Sequence, residues 1–506
     1  SRLLLALCVA ACAATSFAAD LPRVDGERSR SAPPAKLAWR DAAFDPSLAT
    51  RVRFPEVPLA QLVALDDANR ARDRRRPTPV QIGVGRAAPA GKAVPLELQW
   101  RAVAGGRVAT LEVTSPVAMG LRAGLSLQGL PADAELRVRG SELPLGEIVR
   151  IPGAEALRAL DPGGLYWTPA TDGETQTIEV FVPAGSDPGA PRIAVPQVAH
   201  LVTNSRSDFK ILEKLGESGA CNIDTACKVG ELGADFVRAK DAVAHMVFNL
   251  YRSNGTAIGA YICTGTLLND TDPSTQVPYF WTARHCFAGG SGDVPAQDMA
   301  RVAASLTTYW NYEAASCNSG TSTSRATLGG GADVLFDDEH TDAMLLRLRN
   351  PAPAGATFAG WDAAGLPTGA DVVAIHHPSG DAKKVSFGRH VPADDEPGMR
   401  AVGWLSGTTE GGSSGSGLFV RGNDGSYRLH GGLYGGYAAC PNSGSLADSG
   451  NRDWYSRLDL VFPRIQQYLA PVPAAPRRQV LRMGAATAPI RSTRAADAPA
   501  PMRRAA

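Results

Sequence analysis

Gly412-Ser413-Ser414-Gly415-Ser416-Gly417, read with Thr282-Ala283-Arg284-His285-Cys286 upstream of it, decides the reading of this chain. The first stretch is a glycine-flanked turn that can present one serine hydroxyl beside backbone N–H groups. The second closes an aromatic, β-prone run, Tyr279-Phe280-Trp281, on an imidazole. A serine made nucleophilic by a ring delivered from elsewhere in the chain needs these parts. Ser414 is therefore the candidate nucleophile and His285 the candidate general base. Glycine at 412 and 415 lets the backbone turn sharply and approach a substrate. The N–H groups of Gly412 and Ser414 form the candidate oxyanion hole.

A base of this kind needs an acid to fix its tautomer. His340-Thr341-Asp342-Ala343-Met344-Leu345-Leu346-Arg347-Leu348 puts an acid just before a half-buried strand, which makes Asp342 the candidate. Asp333, which also enters a strand, is the alternative. Cys286 invites a Cys–His dyad, but adjacent residues on an extended segment point opposite ways. Cys286 is better read as the disulfide partner of Cys263, tying the histidine loop to a neighbouring strand.

The chain has 506 residues, enough for two or three domains. Its net charge of +1, with neither a basic stripe nor an acidic tail, argues against a nucleic-acid partner. With 53 Gly and 37 Pro and few long amphipathic patterns, an all-β protein is expected. Residues 1–19 combine Arg2, an apolar run over 3–14 and the small residues Ala18-Ala19, the pattern of a signal peptide too short to span a bilayer. Lipidation at Cys12, after Val9-Ala10-Ala11, is the rival reading. The chain does not open on Met, so its start is expected to lie upstream. Export leaves six cysteines, Cys221, Cys227, Cys263, Cys286, Cys317 and Cys440. An even number in an exported chain implies three disulfides rather than a metal site.

Residues 20–95 are rich in Arg, Ala and Pro and read as loosely ordered. From 96 to 200 short alternating runs such as Thr177-Ile178-Glu179-Val180-Phe181-Val182 predict a small β-sandwich. Residues 201–214 read as a linker carrying Lys210 and Lys214, 215–470 as the cysteine-bearing domain, and 471–506 as an Ala/Pro/Arg tail unable to order itself.

Several motifs together resemble bacterial lysyl endopeptidases, a branch of the chymotrypsin-like serine peptidases. They are Gly216-Glu217-Ser218-Gly219-Ala220-Cys221-Asn222-Ile223-Asp224, Cys263-Thr264-Gly265-Thr266-Leu267-Leu268-Asn269, Tyr309-Trp310-Asn311-Tyr312, Ala374-Ile375-His376-His377-Pro378 and Thr409-Glu410-Gly411-Gly412-Ser413-Ser414-Gly415-Ser416. The resemblance spans roughly 216–469. It implies a double antiparallel β-barrel with the site in the cleft between barrels, His285, Asp342 and Ser414 as a triad in the chymotrypsin order, and disulfides Cys221–Cys440, Cys227–Cys317 and Cys263–Cys286. His376 and His377 match a family motif and are assigned no catalytic role, with strand-end packing favoured over metal binding.

The position six residues before the nucleophile, acidic in trypsins, is Thr408. The resemblance places the acid for a basic side chain later, at Asp453, with Glu410 as the second candidate. The family shows Leu-His-Gly-Gly where this chain has Leu433-Tyr434-Gly435-Gly436. His430 offers a competing register, and Tyr434 is preferred on its spacing to Cys440. Only 8 of the 51 basic residues are lysine, which suits an enzyme that cuts after lysine and spares itself, although codon bias gives the same count. Ser413 stands where trypsin-type zymogens carry an acid, so the proposed Cys221–Cys440 bond must anchor the new N-terminus.

The expectation is a secreted, extracellular, monomeric endopeptidase made with a signal peptide and a propeptide, cut after Lys214 by the enzyme itself. Its partners are protein and peptide substrates and its own propeptide, with no membrane contact in the mature form, no cofactor and no metal. The alternatives are Arg or mixed basic preference, and a silent peptidase-like binding protein that retains its N-terminal β-module.

Overall fold

The computed structural model describes residues 21–41, 46–72, 77–89, 93–142, 148–186, 191–204, 217–291 and 294–471. The signal peptide over 1–19, the cut after Lys214 and the tail from 472 onward lie outside the described residues.

The N-terminal domain is a β-sandwich. One sheet is built on Thr175–Pro183 paired along its length with Gly106–Thr114 and, on its other edge, with Glu135–Gly140. The facing sheet is built on Gly120–Gln128 and Arg192–Leu201. Alternation aims Leu111, Val113, Leu121, Leu125, Val138, Ile178, Val180 and Ile193 into one buried core, as a half-covered strand requires.

The sandwich starts earlier than the alternating runs suggest. Residues 20–95 are not loosely ordered throughout. Thr50–Arg53 forms a parallel edge strand on Gly106–Thr114. Gly83–Ala87 pairs with the end of Arg192–Leu201. Leu59–Arg70 is a helix. The arginines made this stretch read as coil. In the strand over 50–53 the arginines point outward and Val52 packs on the core, so the polar face hid an ordered one.

The second half is also all-β. Val243–Tyr251, Ala257–Leu268, Tyr279–Ala283 and Ala343–Leu348 are consecutive antiparallel neighbours in one sheet. Six further strands close into a barrel. They run Tyr427–Gly436, Gly417–Arg421, Asp371–His376, Lys384–His390, Met399–Ser406 and Asp453–Ser456, and the last pairs back onto the first. The terminal helix Leu458–Leu469 buries Leu458, Val461, Phe462, Ile465 and Leu469, an i, i+3, i+4 stripe. Phe462 packs on Trp361 at 5.2 Å.

Among the described residues the N-terminal region grips the second half at several places, of which three bear on the fold. Val80–Gln81 adds a strand to Tyr261–Ile262. Arg122 is fully buried and donates to Ser305 O at 2.6 Å and to Asn249 Oδ1 at 3.4 Å. Arg23–Val24 pairs with Trp361–Asp362 at the edge of the barrel sheet.

Candidate functional site

Sheet register brings the base and the acid together. Ala283 ends its strand opposite Ala343, so the residues just beyond the pair, His285 and Asp342, emerge side by side. The Arg284 N–H donates to Asp342 O at 2.8 Å. Asp342 adopts a left-handed φ of 57°, which turns its carboxylate onto the histidine. One oxygen accepts from the His285 backbone N–H and the other lies 2.7 Å from His285 Nδ1. Such a pair fixes the tautomer that leaves Nε2 free to take a proton. Asp333, the alternative acid, is bound instead to Arg347 and Arg349, each at 2.9 Å.

Ser414 sits on the turn between Met399–Ser406 and Gly417–Arg421. Gly415 has φ +82°, and its backbone lies against the histidine-bearing strand, so a Cβ there would fall 2.3 Å from Thr282 Oγ1 and 2.6 Å from Thr264 O. Among the described residues, His285 has no hydrogen bond to Ser414 Oγ. Serine–imidazole contacts in unliganded sites commonly tighten only when substrate binds. Replacing Gly415 by alanine is expected to push Ser414, the candidate nucleophile, off line and lower kcat about 100-fold with KM little changed, a loss typical of a 1 Å misplacement. Steady-state kinetics beside a thermal melt checks this, and an unaltered kcat would show the close approach to be dispensable.

The turn spends its N–H groups selectively. Ser413 N–H goes to Glu410 O, Gly415 N–H to Leu433 O and Ser416 N–H to Ser413 O. Among the described residues the N–H groups of Gly412 and Ser414 have no protein acceptor, the state an oxyanion hole requires. Gly412 has φ +93°, and its carbonyl is held by Thr264 Oγ1 at 2.9 Å.

The disulfides are Cys221–Cys440, Cys227–Cys317 and Cys263–Cys286, with Cα separations of 5.4, 4.4 and 6.4 Å. The last pins the His285 turn to Ala257–Leu268. Cys263, His285 and Cys286 cluster closely enough to suggest metal ligands, but both sulfurs are spent on each other.

A cavity opens beside Ser414, lined by Thr409, Glu410, Gly435, Gly436, Ala438 and Asp453. Asp453 is 1% exposed, and its Oδ2 accepts from Trp404 Nε1 and Thr409 Oγ1, both at 2.7 Å. Glu410 is committed elsewhere. It accepts from Gly219 N–H, Asn222 Nδ2 and Ser379 Oγ, each at 2.8 Å, and so holds the segment next to Cys221. Thr408 is buried, and its carbonyl accepts from Ser386 Oγ. The same cavity is lined by Asn69, Arg70, Arg72 and Pro77 of the N-terminal region.

Tyr434, not His430, faces the His285 imidazole. The two rings are edge to face at 5.9 Å, whereas His430 Nδ1 bonds Ala364 O. His376 does more than pack. Its Nδ1 lies 2.8 Å from Ser413 Oγ and its Nε2 3.0 Å from Ser386 Oγ, so it braces the residue before Ser414. That tie spans 37 residues of sequence and gives no local signal. His377 stacks flat on Tyr312 at 5.7 Å and meets His245 edge-on at 5.3 Å.

Burial lowers the His376 pKa from 6.5 to about 3, with Lys384 adding to the shift, and burial lowers His245 to about 3. Unfolded, these rings take up protons near pH 6.5, so between about 6.5 and 3 the unfolded chain binds more protons. Stability is therefore fully present above about pH 6.5 and is lost as pH falls toward 3. Melting temperature measured across that range should fall, and His376→Gln should flatten the slope. An unchanged slope in the variant would remove His376 from the acid response.

Comparison with known proteins completes the picture. Residues 215–456 match the family described as "Lysyl endopeptidase, C-terminal domain", and residues 53–202 match "Lysyl endopeptidase N-terminal domain". A lysyl endopeptidase of Pseudomonas aeruginosa is 36% identical over 407 residues, 78% of this chain and 82% of that protein. Among solved structures, the Rv3671c protease of M. tuberculosis in its active form is 16% identical and covers 52% of this chain and 93% of its own. Its TM-score is 0.28, too low to bear on function. An inactive form of Rv3671c matches at the same score over 51% of this chain and 99% of its own.

Proposed function

This chain belongs to the lysyl endopeptidase family and is a peptidase, and from that premise we propose that it hydrolyses peptide bonds after lysine by acyl transfer through Ser414, His285 and Asp342. The observation that carries the reading is the direct His285–Asp342 contact at 2.7 Å, beside a turn whose Gly412 and Ser414 N–H groups have no acceptor among the described residues. Ser414 attacks the carbonyl while His285 takes its proton. Asp342 holds the imidazole and stabilises its cation. The N–H groups of Gly412 and Ser414 receive the oxyanion, and His285 returns the proton to the leaving amine. Water then attacks the acyl-enzyme by the same route.

Asp453 is proposed to receive the substrate ammonium. A buried ammonium without an opposite charge costs several kcal/mol, so an acid at the inner end of the cavity favours basic side chains. Glu410, engaged with Gly219, Asn222 and Ser379, is the weaker candidate.

The same reading makes the protein a secreted zymogen. Residues 1–19 are the signal peptide, 20–214 the propeptide and 215–470 the peptidase, with the tail 471–506 beyond. The family match that starts at 215, next to Lys214, supports the processing site. The presence of Asn69, Arg70, Arg72 and Pro77 in the cavity supports a propeptide that blocks it. Cleavage of otherwise identical peptides with Lys, Arg or Leu before the scissile bond tests the specificity. Preference for Lys is expected, and equal rates on Arg would replace lysine specificity by a general basic one.

A further inference from the structure

The catalytic half of the chain carries four lysines, and none is offered to a peptidase. Lys228 pairs with Glu231, Lys240 with Asp241 and Glu313, and Lys384 with Asp224 and Asp381. Lys383 is fully buried and donates to Lys240 O at 2.6 Å. Lys36 is different. It is exposed in a stretch without regular structure, Ser31-Ala32-Pro33-Pro34-Ala35-Lys36-Leu37, whose residues 32–36 all face solvent. A peptidase cleft takes extended chain, and the two prolines favour an extended backbone. The Lys36–Leu37 bond also repeats the residue pair of Lys214–Leu215.

The residues before Lys36 lie on the catalytic half. Arg23 and Val24 extend the barrel sheet by pairing with Asp362 and Trp361, and Glu27 and Arg28 pair with Phe358 and Thr357. Asp25 accepts from Arg428 Nε at 3.0 Å, and its carbonyl accepts from Asn269 Nδ2 at 2.9 Å. Ser29 N–H and Ser31 Oγ donate to Ala356 O and Ala352 O. Arg30 N–H donates to Gln276 Oε1, and the Gln276 amide donates back to Arg28 O. Beyond Lys36 the partners change, and Arg40 bonds Glu135 and Glu179 of the sandwich. Lys36 thus stands at the crossing between two bodies.

We propose that the mature enzyme keeps the segment ending at Lys36 as a separate, non-covalently held strand. The enzyme hydrolyses the Lys36–Leu37 bond, one water supplying the new carboxylate at Lys36 and the new amine at Leu37. The sandwich then leaves, and the strand stays paired. Its departure would uncover the open edge of Gly360–Asp362, with unpaired N–H and C=O groups and Trp361 beneath. Gly360 accommodates the strand closely, since a Cβ there would fall 2.5 Å from Val24 O.

This inference rests on the lysine specificity proposed above, and the test separates the two. The secreted active enzyme is isolated by size exclusion, denatured, and analysed by mass spectrometry and terminal sequencing. The expected result is a peptide ending at Lys36 at one copy per chain that starts at residue 215. Cleavage of a synthetic lysine peptide is measured on the same pool. If that peptide is cut but no segment ending at Lys36 accompanies the enzyme, the retained strand is wrong and the specificity stands. If the lysine peptide is not cut, the specificity itself is wrong. Gly360→Ala is expected to lose the strand and melt at lower temperature than wild type. A variant that melts like wild type with the strand gone would show that the strand contributes nothing to the fold.

Discussion

Ser414→Ala is expected to fold like the wild type and to cleave a lysine peptide about 10⁶-fold more slowly. The hydroxyl is the bond-forming atom of the proposed cycle, and alanine at this position keeps the turn, the Gly412 and Ser414 N–H positions and the His285–Asp342 pair. What survives is the part that needs no nucleophile, the oxyanion donors and substrate binding. Members of such a triad act as a unit, so adding Asp342→Asn to Ser414→Ala should cost almost nothing further. The variant should also accumulate uncut after Lys214, because the proposed processing is its own work. Added wild-type enzyme should then trim it. Turnover of the lysine peptide and the intact mass of the secreted chain measure both effects. A loss under tenfold would remove Ser414 from the chemistry.

The second large effect concerns Asp453. Asp453→Ala is expected to lower kcat/KM for lysine peptides by about 10²–10⁴, the cost of about 3–5 kcal/mol for leaving a buried ammonium without its partner. Alanine also strands the Trp404 indole N–H and Thr409 hydroxyl that now donate to the carboxylate. Asp453→Asn separates the two effects, since its amide oxygen still accepts while the charge is gone. Both variants should lose lysine peptides, and only the alanine variant should lower the melting temperature markedly. A peptide with leucine before the scissile bond should gain relative to lysine in either variant. Retained lysine preference in Asp453→Asn would move the recognition elsewhere in the cavity.

The parts legible in sequence are those set by local pattern. The alternating runs after residue 96 announced a sandwich, and two short motifs announced which hydroxyl and which ring to compare. The acid was legible as a residue just before a strand, and the Ala283–Ala343 register explains why the structure brings it to His285. Other features depend on contacts that no local window contains. The hold of Glu410 on Gly219 and Asn222 spans about 190 residues and reads locally as a free acid near the nucleophile. His376 looked like strand-end packing because its partners, Ser413 and Ser386, arrive from the turn before Gly417–Arg421 and from the strand Lys384–His390. The ordered arginine-rich strands before residue 96 were hidden for the same reason. Their apolar faces make sense only once Gly106–Thr114 and Arg192–Leu201 lie beside them.

Arg70 and Arg72 line the cavity beside Ser414, and no lysine occurs in the sequence from 37 to 91. With the lysine specificity proposed above, the enzyme has no site in that segment at which to cut it. Under the proposed propeptide block, latency then ends when the segment diffuses off rather than when it is consumed. A freshly processed preparation should wake faster on dilution than on prolonged incubation at high concentration.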